Sequence, residues 1–320
     1  MTADLTDPIF SDEEAARKHF EALRWPEGPI CPFCGTIDDA HELQGASTRK
    51  GLYKCHGCQK PFTATIGTLY ERSHIPLHKW LLATHLMAAS KKGISAHQLW
   101  RMLGFGSYRT AWFMAHRIRE GMRELKPAGK LGGPGKPVEA DETYVGGKEK
   151  NKHKSKRNKR NIGGQGKEIA FALVERGGSV RSFHVPEVAA KTLRPILKAQ
   201  IDAASTLNTD DAGQYRHMHK DFAKHEVVNH GIGEYVRGNA HSNTVEGYFA
   251  IFKRGIMGTY HHVSPQHLKR YLGEFDFRYN ERMGLGVSDK ARAEKAVKGV
   301  AGKRLTYRQP HQKSAPEAAV

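Results

Sequence analysis

Val138-Glu-Ala-Asp-Glu-Thr-Tyr-Val145 alternates in period two. In a strand, that period puts Glu139 and Asp141 on one face and Val138 and Ala140 on the other. Before it lies a breaker-rich linker, Pro127-Ala-Gly-Lys-Leu-Gly-Gly-Pro-Gly-Lys-Pro137, and after it the pattern becomes short β runs with interspersed helices. Ile169–Glu175 is a continuous apolar run and Val180–Val185 a further strand. Ala189–Ala204 reads as helix, Thr206–Thr209 as a strand ending in Asp210-Asp211, and Gln214–Phe222 as helix. Glu226–Asn229 reads as a strand, and a helix opens over Thr244–Lys253.

Three strands in hairpin-like succession, then helix, strand, helix, strand, helix, is the order of a ribonuclease-H-like α/β domain. It is expected over residues 138–285 with a basic insertion at 147–166, and residues 286–320 are expected to form a C-terminal tail, frayed from Gln309. Upstream, a capped helix over residues 11–24 lies within an N-terminal segment, 1–27. Residues 67–126 read as helical: Trp80, Leu81, Thr84 and Met87 share a face. Helices over Ala96–Leu103 and Tyr108–Met122 then flank the turn Gly104-Phe-Gly-Ser107. Two short helices about a Gly turn, the second carrying Arg109, His116, Arg117 and Arg119, suggest a helix-turn-helix, with a plain helical hairpin as the competing reading.

The four cysteines stand as Cys31-Pro-Phe-Cys34 and Cys55-His-Gly-Cys58, two CxxC knuckles with twenty residues between them. That spacing in residues 28–66 predicts a zinc ribbon with a closed Cys₄ shell, hence a structural metal. A redox dithiol needs one CxxC beside a βαβ pattern, which is missing here. With every thiol committed to metal, a reducing compartment is expected.

Fifty-one Lys and Arg against 33 Asp and Glu leave a net charge of +18, and the pI is near 9.7. Such a surplus points to a polyanionic partner. The densest block, Lys148-Glu-Lys-Asn-Lys-His-Lys-Ser-Lys-Arg-Asn-Lys-Arg160, repels itself as a free loop and becomes a phosphate clamp beside DNA. Lys148, Lys150, Lys152, Lys154, Lys156, Arg157, Lys159 and Arg160 are its candidate contacts, joined by Arg109, Arg117 and Arg254. No apolar run is long enough to span a bilayer, and the N-terminus lacks the features of a secretory signal, so a cytoplasmic, nucleoid-associated protein is expected.

Phosphoryl transfer on DNA with two Mg²⁺ or Mn²⁺ ions about 3.5–4 Å apart needs oxygen ligands converging from separate elements. Asp141 in its strand, Asp210 at a strand's carboxyl end and Glu246 one turn into a helix suit that role. Asn243, Glu246, Ala250 and Lys253 fall on one helical stripe, with Lys253 about 10 Å beyond Glu246. Asn243-Thr-Val-Glu246 also reads as a capping box with Asn243 as N-cap, and Asp210-Asp211 as a plain turn.

These residues resemble bacterial insertion-sequence DDE transposases of the subgroup with an N-terminal zinc ribbon. The likeness covers roughly residues 20–285. It is carried by the two knuckles, Asp141-Glu-Thr-Tyr-Val-Gly-Gly-Lys148, Thr209-Asp210 with Tyr215-Arg216, and His241-Ser-Asn-Thr-Val-Glu-Gly-Tyr-Phe-Ala-Ile-Phe-Lys-Arg254. It continues in Gly258-Thr-Tyr-His-His-Val263 and Tyr271-Leu-Gly-Glu-Phe-Asp-Phe-Arg-Tyr-Asn280. Between Asp210 and Glu246 lie 35 residues, a separation typical of such enzymes. The resemblance implies that Asp141 and Asp210 are metal ligands, that Glu246 or Asn243 is the third, and that Lys253 is the trailing lysine. It further implies double-stranded DNA as partner, both element ends and target, and a homodimer or larger synaptic complex. A non-catalytic zinc-ribbon regulator and a ribonuclease-H-like nuclease without strand joining are the alternatives.

Overall fold

The computed structural model describes residues 4–124, 127, 129–147, 149–157, 164–228 and 236–306. The chain divides into two compact units, one built from Asp4–Thr84, Ala96–Gly121 and residues 294–306, the other from His85–Ser95 and Met122–Ala293.

In the first unit, helix α1 (Glu13–Arg24) starts where the Asp12 carboxylate accepts the Ala15 N–H at 2.7 Å. Glu13 and Glu14 in its first turn and Arg24 in its last complement the helix dipole. A three-stranded antiparallel ribbon follows, β1 (Ala40–Glu42), β2 (Tyr53–Cys55) and β3 (Pro61–Phe62), in that spatial order. So small a sheet has almost no core of its own. Trp25 supplies one by standing edge-on against Tyr53 and the fully buried Phe62. Helix α2 (Leu77–Ala89) begins in this unit, where Glu13 accepts the N–H groups of Leu77 and His78. Helices α3 (Ala96–Met102) and α4 (Tyr108–Met122) flank a turn at Gly104, φ +61°, close to the expected ranges.

The second unit is a five-stranded sheet with β4 (Pro137–Val145) at its centre. β5 (Glu168–Glu175) and β6 (Val180–Val185) lie to one side, and β7 (Thr206–Asp210) and β8 (Lys224–Val228) to the other, giving the order β6-β5-β4-β7-β8. β4, β5 and β6 run antiparallel in succession; β7 pairs parallel with β4 and β8 parallel with β7. The apolar run of β5 is buried on both faces, as a strand covered by helices on each side should be. Phe171 and Leu173 pack with Val138, Ala140 and α5 (Ala190–Gln200), whereas Ala170, Ala172 and Val174 pack under α6 (Asn243–Gly255) and α7 (Pro265–Asn280). Gly255 allows α6 and α7 to approach, since a methyl group there would strike the Phe275 ring.

The segment Glu274-Phe-Asp-Phe-Arg-Tyr-Asn280 caps an edge. Asp276 accepts the Ser182 N–H at 2.9 Å and its hydroxyl at 2.7 Å, and Asn280 exchanges hydrogen bonds with the Val180 backbone. α7 thereby satisfies the free side of β6 that would otherwise invite another strand.

Three expectations change. Gln214–Phe222 forms two 3₁₀ turns, Gly213–Tyr215 and Met218–Lys220, because the buried anchors Tyr215 and Met218 are three residues apart, the 3₁₀ repeat. α5 stops at Gln200, where Ile201 turns extended and bridges Leu131. Within 286–320, expected as a tail, Asp289–Lys298 forms helix α8. The terminal stretch expected to fray, from Gln309, lies outside the described residues.

Candidate active site

β4 carries Asp141 at mid-strand, opposite Ala172 of β5. The side chain is half-buried and its Oδ1 accepts the Glu142 N–H at 2.8 Å. Burial, with the negative charges of Asp210 and Glu246, pushes its carboxyl up to about 6, against the Glu142 N–H and the Lys253 ammonium, which favour the ionised form. Asp210, half-buried, closes β7 and accepts the Ala212 N–H at 3.1 Å. Glu246 is exposed in the first turn of α6 and accepts the Ser242 hydroxyl at 2.9 Å. Asn243, Ala250 and Lys253 are exposed along the same stripe. Three acids from three elements thus share one electrostatic environment. They do not gather as closely as the cysteines: among the described residues, only those four bring three or more ligand atoms within 4.8 Å of one another.

The capping-box reading of Asn243 is corrected. Asn243 is the first residue of α6, Ser242 holds the N-cap position, and neither side chain caps the helix. The cap comes from Glu139, two residues before Asp141 and fully buried. Its Oε2 accepts the N–H groups of Thr244 at 2.8 Å and Val245 at 2.9 Å, and its Oε1 accepts the Thr244 hydroxyl at 2.9 Å and the Arg176 Nε–H. A second neighbour, Glu142, accepts the Tyr215 hydroxyl at 2.6 Å and the Gln214 amide at 2.9 Å. Burial raises the Glu142 carboxyl to about 7, helped by Asp141 and Asp210 and opposed by the Tyr215 and Gln214 donors. Sequence reasoning gives neither Glu139 nor Glu142 a role. The signal in the sequence is a glutamate between Val138 and Ala140 in a central strand, too costly to bury without dedicated donors.

In the ribbon, Cys31 and Cys58 sulfurs lie 3.6 Å apart, as do those of Cys34 and Cys55. Tetrahedral Zn–S bonds of about 2.3 Å place sulfurs about 3.8 Å apart, so the donor set fits zinc. Each knuckle closes with a residue of positive φ, Gly35 (+78°) and Gln59 (+57°), whose N–H bonds back to the carbonyl of Cys31 or Cys55. Hydrogen bonds from Thr36 hold the Cys34 thiol down to about 6, toward the thiolate that metals bind.

Of the candidate DNA contacts, Arg109, Arg254, Lys150, Lys152, Lys154 and Arg157 are exposed. The described part of the basic insertion is more ordered than a bare coil. It holds 3₁₀ turns over Glu149–Asn151 and Lys154–Lys156, and Arg157 donates to the carbonyls of Lys150 and Lys152. Lys156 lies in the second turn, and Lys148, Lys159 and Arg160 fall outside the described residues. In α4 the basic face is not all presented to a partner. His116 and Arg119 are buried, and Arg117 is half-buried, its guanidinium 4.7 Å over the Phe113 ring. Of the basic residues expected on α4, Arg109 is the exposed one.

Residues 130–280 match the ISXO2-like transposase domain and residues 11–61 the transposase zinc-ribbon domain. A protein described as an uncharacterized protein in transposable element ISH50, from Halobacterium salinarum, is 30% identical over 280 residues, covering 84% of this chain and 91% of that protein. The chain belongs to the ISXO2-like transposase family. The transposase domain so matched contains Asp141, Asp210, Asn243, Glu246 and Lys253, and the zinc-ribbon match contains all four cysteines. A chain in the structure of the simian T-cell lymphotropic virus intasome in complex with PP2A regulatory subunit B56 gamma is a distant structural neighbour, with 15% identity, 56% of this chain and 63% of that chain covered, and a TM-score of 0.27. Among the described residues of this transposase-family chain, no helix is long and apolar enough to cross a membrane.

Proposed function

We propose that the chain is the transposase of an insertion sequence, binding the element's ends and catalysing cleavage and strand transfer with Asp141, Asp210 and Glu246 as acidic metal ligands. The observation that carries the reading is the placement of Asp141, Asp210 and Glu246 on β4, β7 and α6 within the matched transposase domain, where burial and the negative charges of the other two acids raise the Asp141 carboxyl while Lys253 acts as counter-charge. Mutually repelling acids of this kind suit a divalent cation, which relieves the repulsion. The strand order β6-β5-β4-β7-β8, antiparallel through β4 and parallel thereafter, supports a ribonuclease-H-like catalytic domain.

Bound there, Mg²⁺ or Mn²⁺ supplies Lewis-acid polarisation of the scissile phosphate and an activated water. In this reading Asp141, Asp210 and Glu246 would hold the cation. Asn243 stands one turn before Glu246 as the uncharged alternative. Lys253 meets the phosphate flanking the cut, with Ala250 leaving room for the strand. Water cleaves a phosphodiester at the element end, releasing a 3′-hydroxyl. That hydroxyl then displaces a 3′-oxygen at a target phosphate, so one phosphodiester forms as one breaks and no ATP is consumed. The four cysteines hold structural zinc. The ribbon, Arg109, Arg254 and the basic insertion grip double-stranded DNA. Two ends held together call for a homodimer or larger complex working at the cytoplasmic nucleoid.

A joining assay on linear DNA carrying the element's ends tests this. Wild-type protein should give Mg²⁺-dependent joined products and Asp141→Asn none. Cleavage without joining would make the protein a nuclease. DNA binding with neither reaction, unaltered by Asp141→Asn, would make it a regulator.

A further inference from the structure

We propose that β4, besides carrying Asp141, positions the other two ligands through its own neighbours, Glu139 holding the helix of Glu246 and Glu142 holding the turn after Asp210. This inference rests on the ligand assignment above and adds two residues to it, each acting through another.

Glu139 has four lone-pair directions, and four donors fill them: two N–H groups and a hydroxyl from the start of α6, and Arg176. No side chain from α6 itself does that work. Arg176 extends the grip, donating to the carbonyls of Asn239 at 2.7 Å and His241 at 2.8 Å on the segment leading into α6. Asn208, buried on β7, donates to the same two carbonyls. The first turn of α6 is therefore fixed to the strand that bears Asp141, and Glu246 sits in that turn. On the opposite face of β4, Glu142 holds Gln214 and the buried Tyr215. Those residues follow Asp210 by four and five positions, so the loop leaving β7 is pinned to the same strand. Acids that repel one another would otherwise move apart; these two grips oppose that.

Binding of Mn²⁺ to the full-length, zinc-loaded protein, followed by the paramagnetic resonance signal of the free ion alongside thermal denaturation, gives a readout besides activity. Glu139→Gln puts an amide NH₂ among donors and should weaken Mn²⁺ binding about ten- to a hundredfold. In a Glu246→Gln background the same substitution should cost nothing further, because the ligand it positions is gone. Glu142→Gln should weaken binding in the wild-type background and not in Asp210→Asn. The exchange E142Q/Q214E reverses donor and acceptor, keeps an oxygen for Tyr215, and should restore most of the affinity. Tyr215→Phe should reproduce the Glu142→Gln effect by a second route. Equal losses in both backgrounds would assign these glutamates to general folding alone, and no loss in either would also overturn the inference. If Asp141→Asn retains wild-type Mn²⁺ affinity, the ligand assignment itself fails and the positioning role with it. Loss in Asp141→Asn with none in Glu139→Gln and Glu142→Gln refutes the positioning alone.

Discussion

The ribbon and the sheet assemble their proposed ligands in opposite ways. Four cysteine sulfurs come from two knuckles of one small module and lie within 4.8 Å of one another. Asp141, Asp210 and Glu246 come from β4, β7 and α6; burial and the charges of the other two disfavour ionisation of Asp141, and the three do not close to that distance. A closed, soft donor set suits a metal that holds structure, whereas a looser, hard one leaves space for phosphate oxygens and a nucleophile. Preassembly costs little in the first case because zinc carries the folding energy. In the second it must be enforced by surrounding protein, which is where Glu139 and Glu142 stand.

The largest expected effect strikes the closed site. Cys55→Ser, or chelation of zinc, should abolish folding of the ribbon, since metal binding in such modules is linked to about 10 kcal/mol of folding free energy. Near-ultraviolet circular dichroism should lose the signal of the Trp25, Tyr53 and Phe62 cluster. Persistence of Mn²⁺ binding in the same variant would sharpen the contrast, and its loss would break it.

At the open site, Asp141→Asn should lower strand joining by at least about three orders of magnitude, several kcal/mol of barrier, measured as initial rate at saturating Mg²⁺. The same change should stabilise the metal-free protein above pH 6. The folded carboxyl is raised from 3.8 to about 6, so between those values the native state retains a proton that the unfolded chain releases. Stability therefore falls as pH rises through that window, by up to about 3 kcal/mol, and the asparagine removes the loss. Thermal midpoints of the two proteins should converge near pH 4 and separate at pH 7.5, the variant higher. A lower midpoint for Asp141→Asn at pH 7.5 would contradict the repulsion on which the reading is built.

The smallest effect belongs to the basic insertion. Replacing Lys150, Lys152 and Lys154 with alanine should flatten the slope of log K against log salt by about 0.9 for each phosphate no longer neutralised. An unchanged slope would remove that loop from the DNA interface.

What could be read from the chain follows from how local each feature is. The cysteine knuckles announce themselves by spacing within 28 residues, and the β4 alternation and the α6 stripe by periodicity within one element. The partners of Glu139 and Glu142 lie 105 and 73 residues away at Thr244 and Tyr215, so no periodicity connects them. Asn243 looks like a cap because its spacing to Glu246 fits a capping box, yet a buried carboxylate from another strand outcompetes it. The basic count on α4 overstates its binding surface for a similar reason. Composition records that Arg117 and Arg119 are cationic and is silent on their burial, half for Arg117 and nearly complete for Arg119.

Anomalous scattering from crystals soaked in Mn²⁺ bears most directly on the three carboxylates as a shared cation site. Mn²⁺ scattering is expected beside Asp141, Asp210 and Glu246 and should be abolished in Asp141→Asn crystals. Absence of Mn²⁺ at Asp141 in the wild-type protein, with scattering confined to the cysteine cluster, would contradict it.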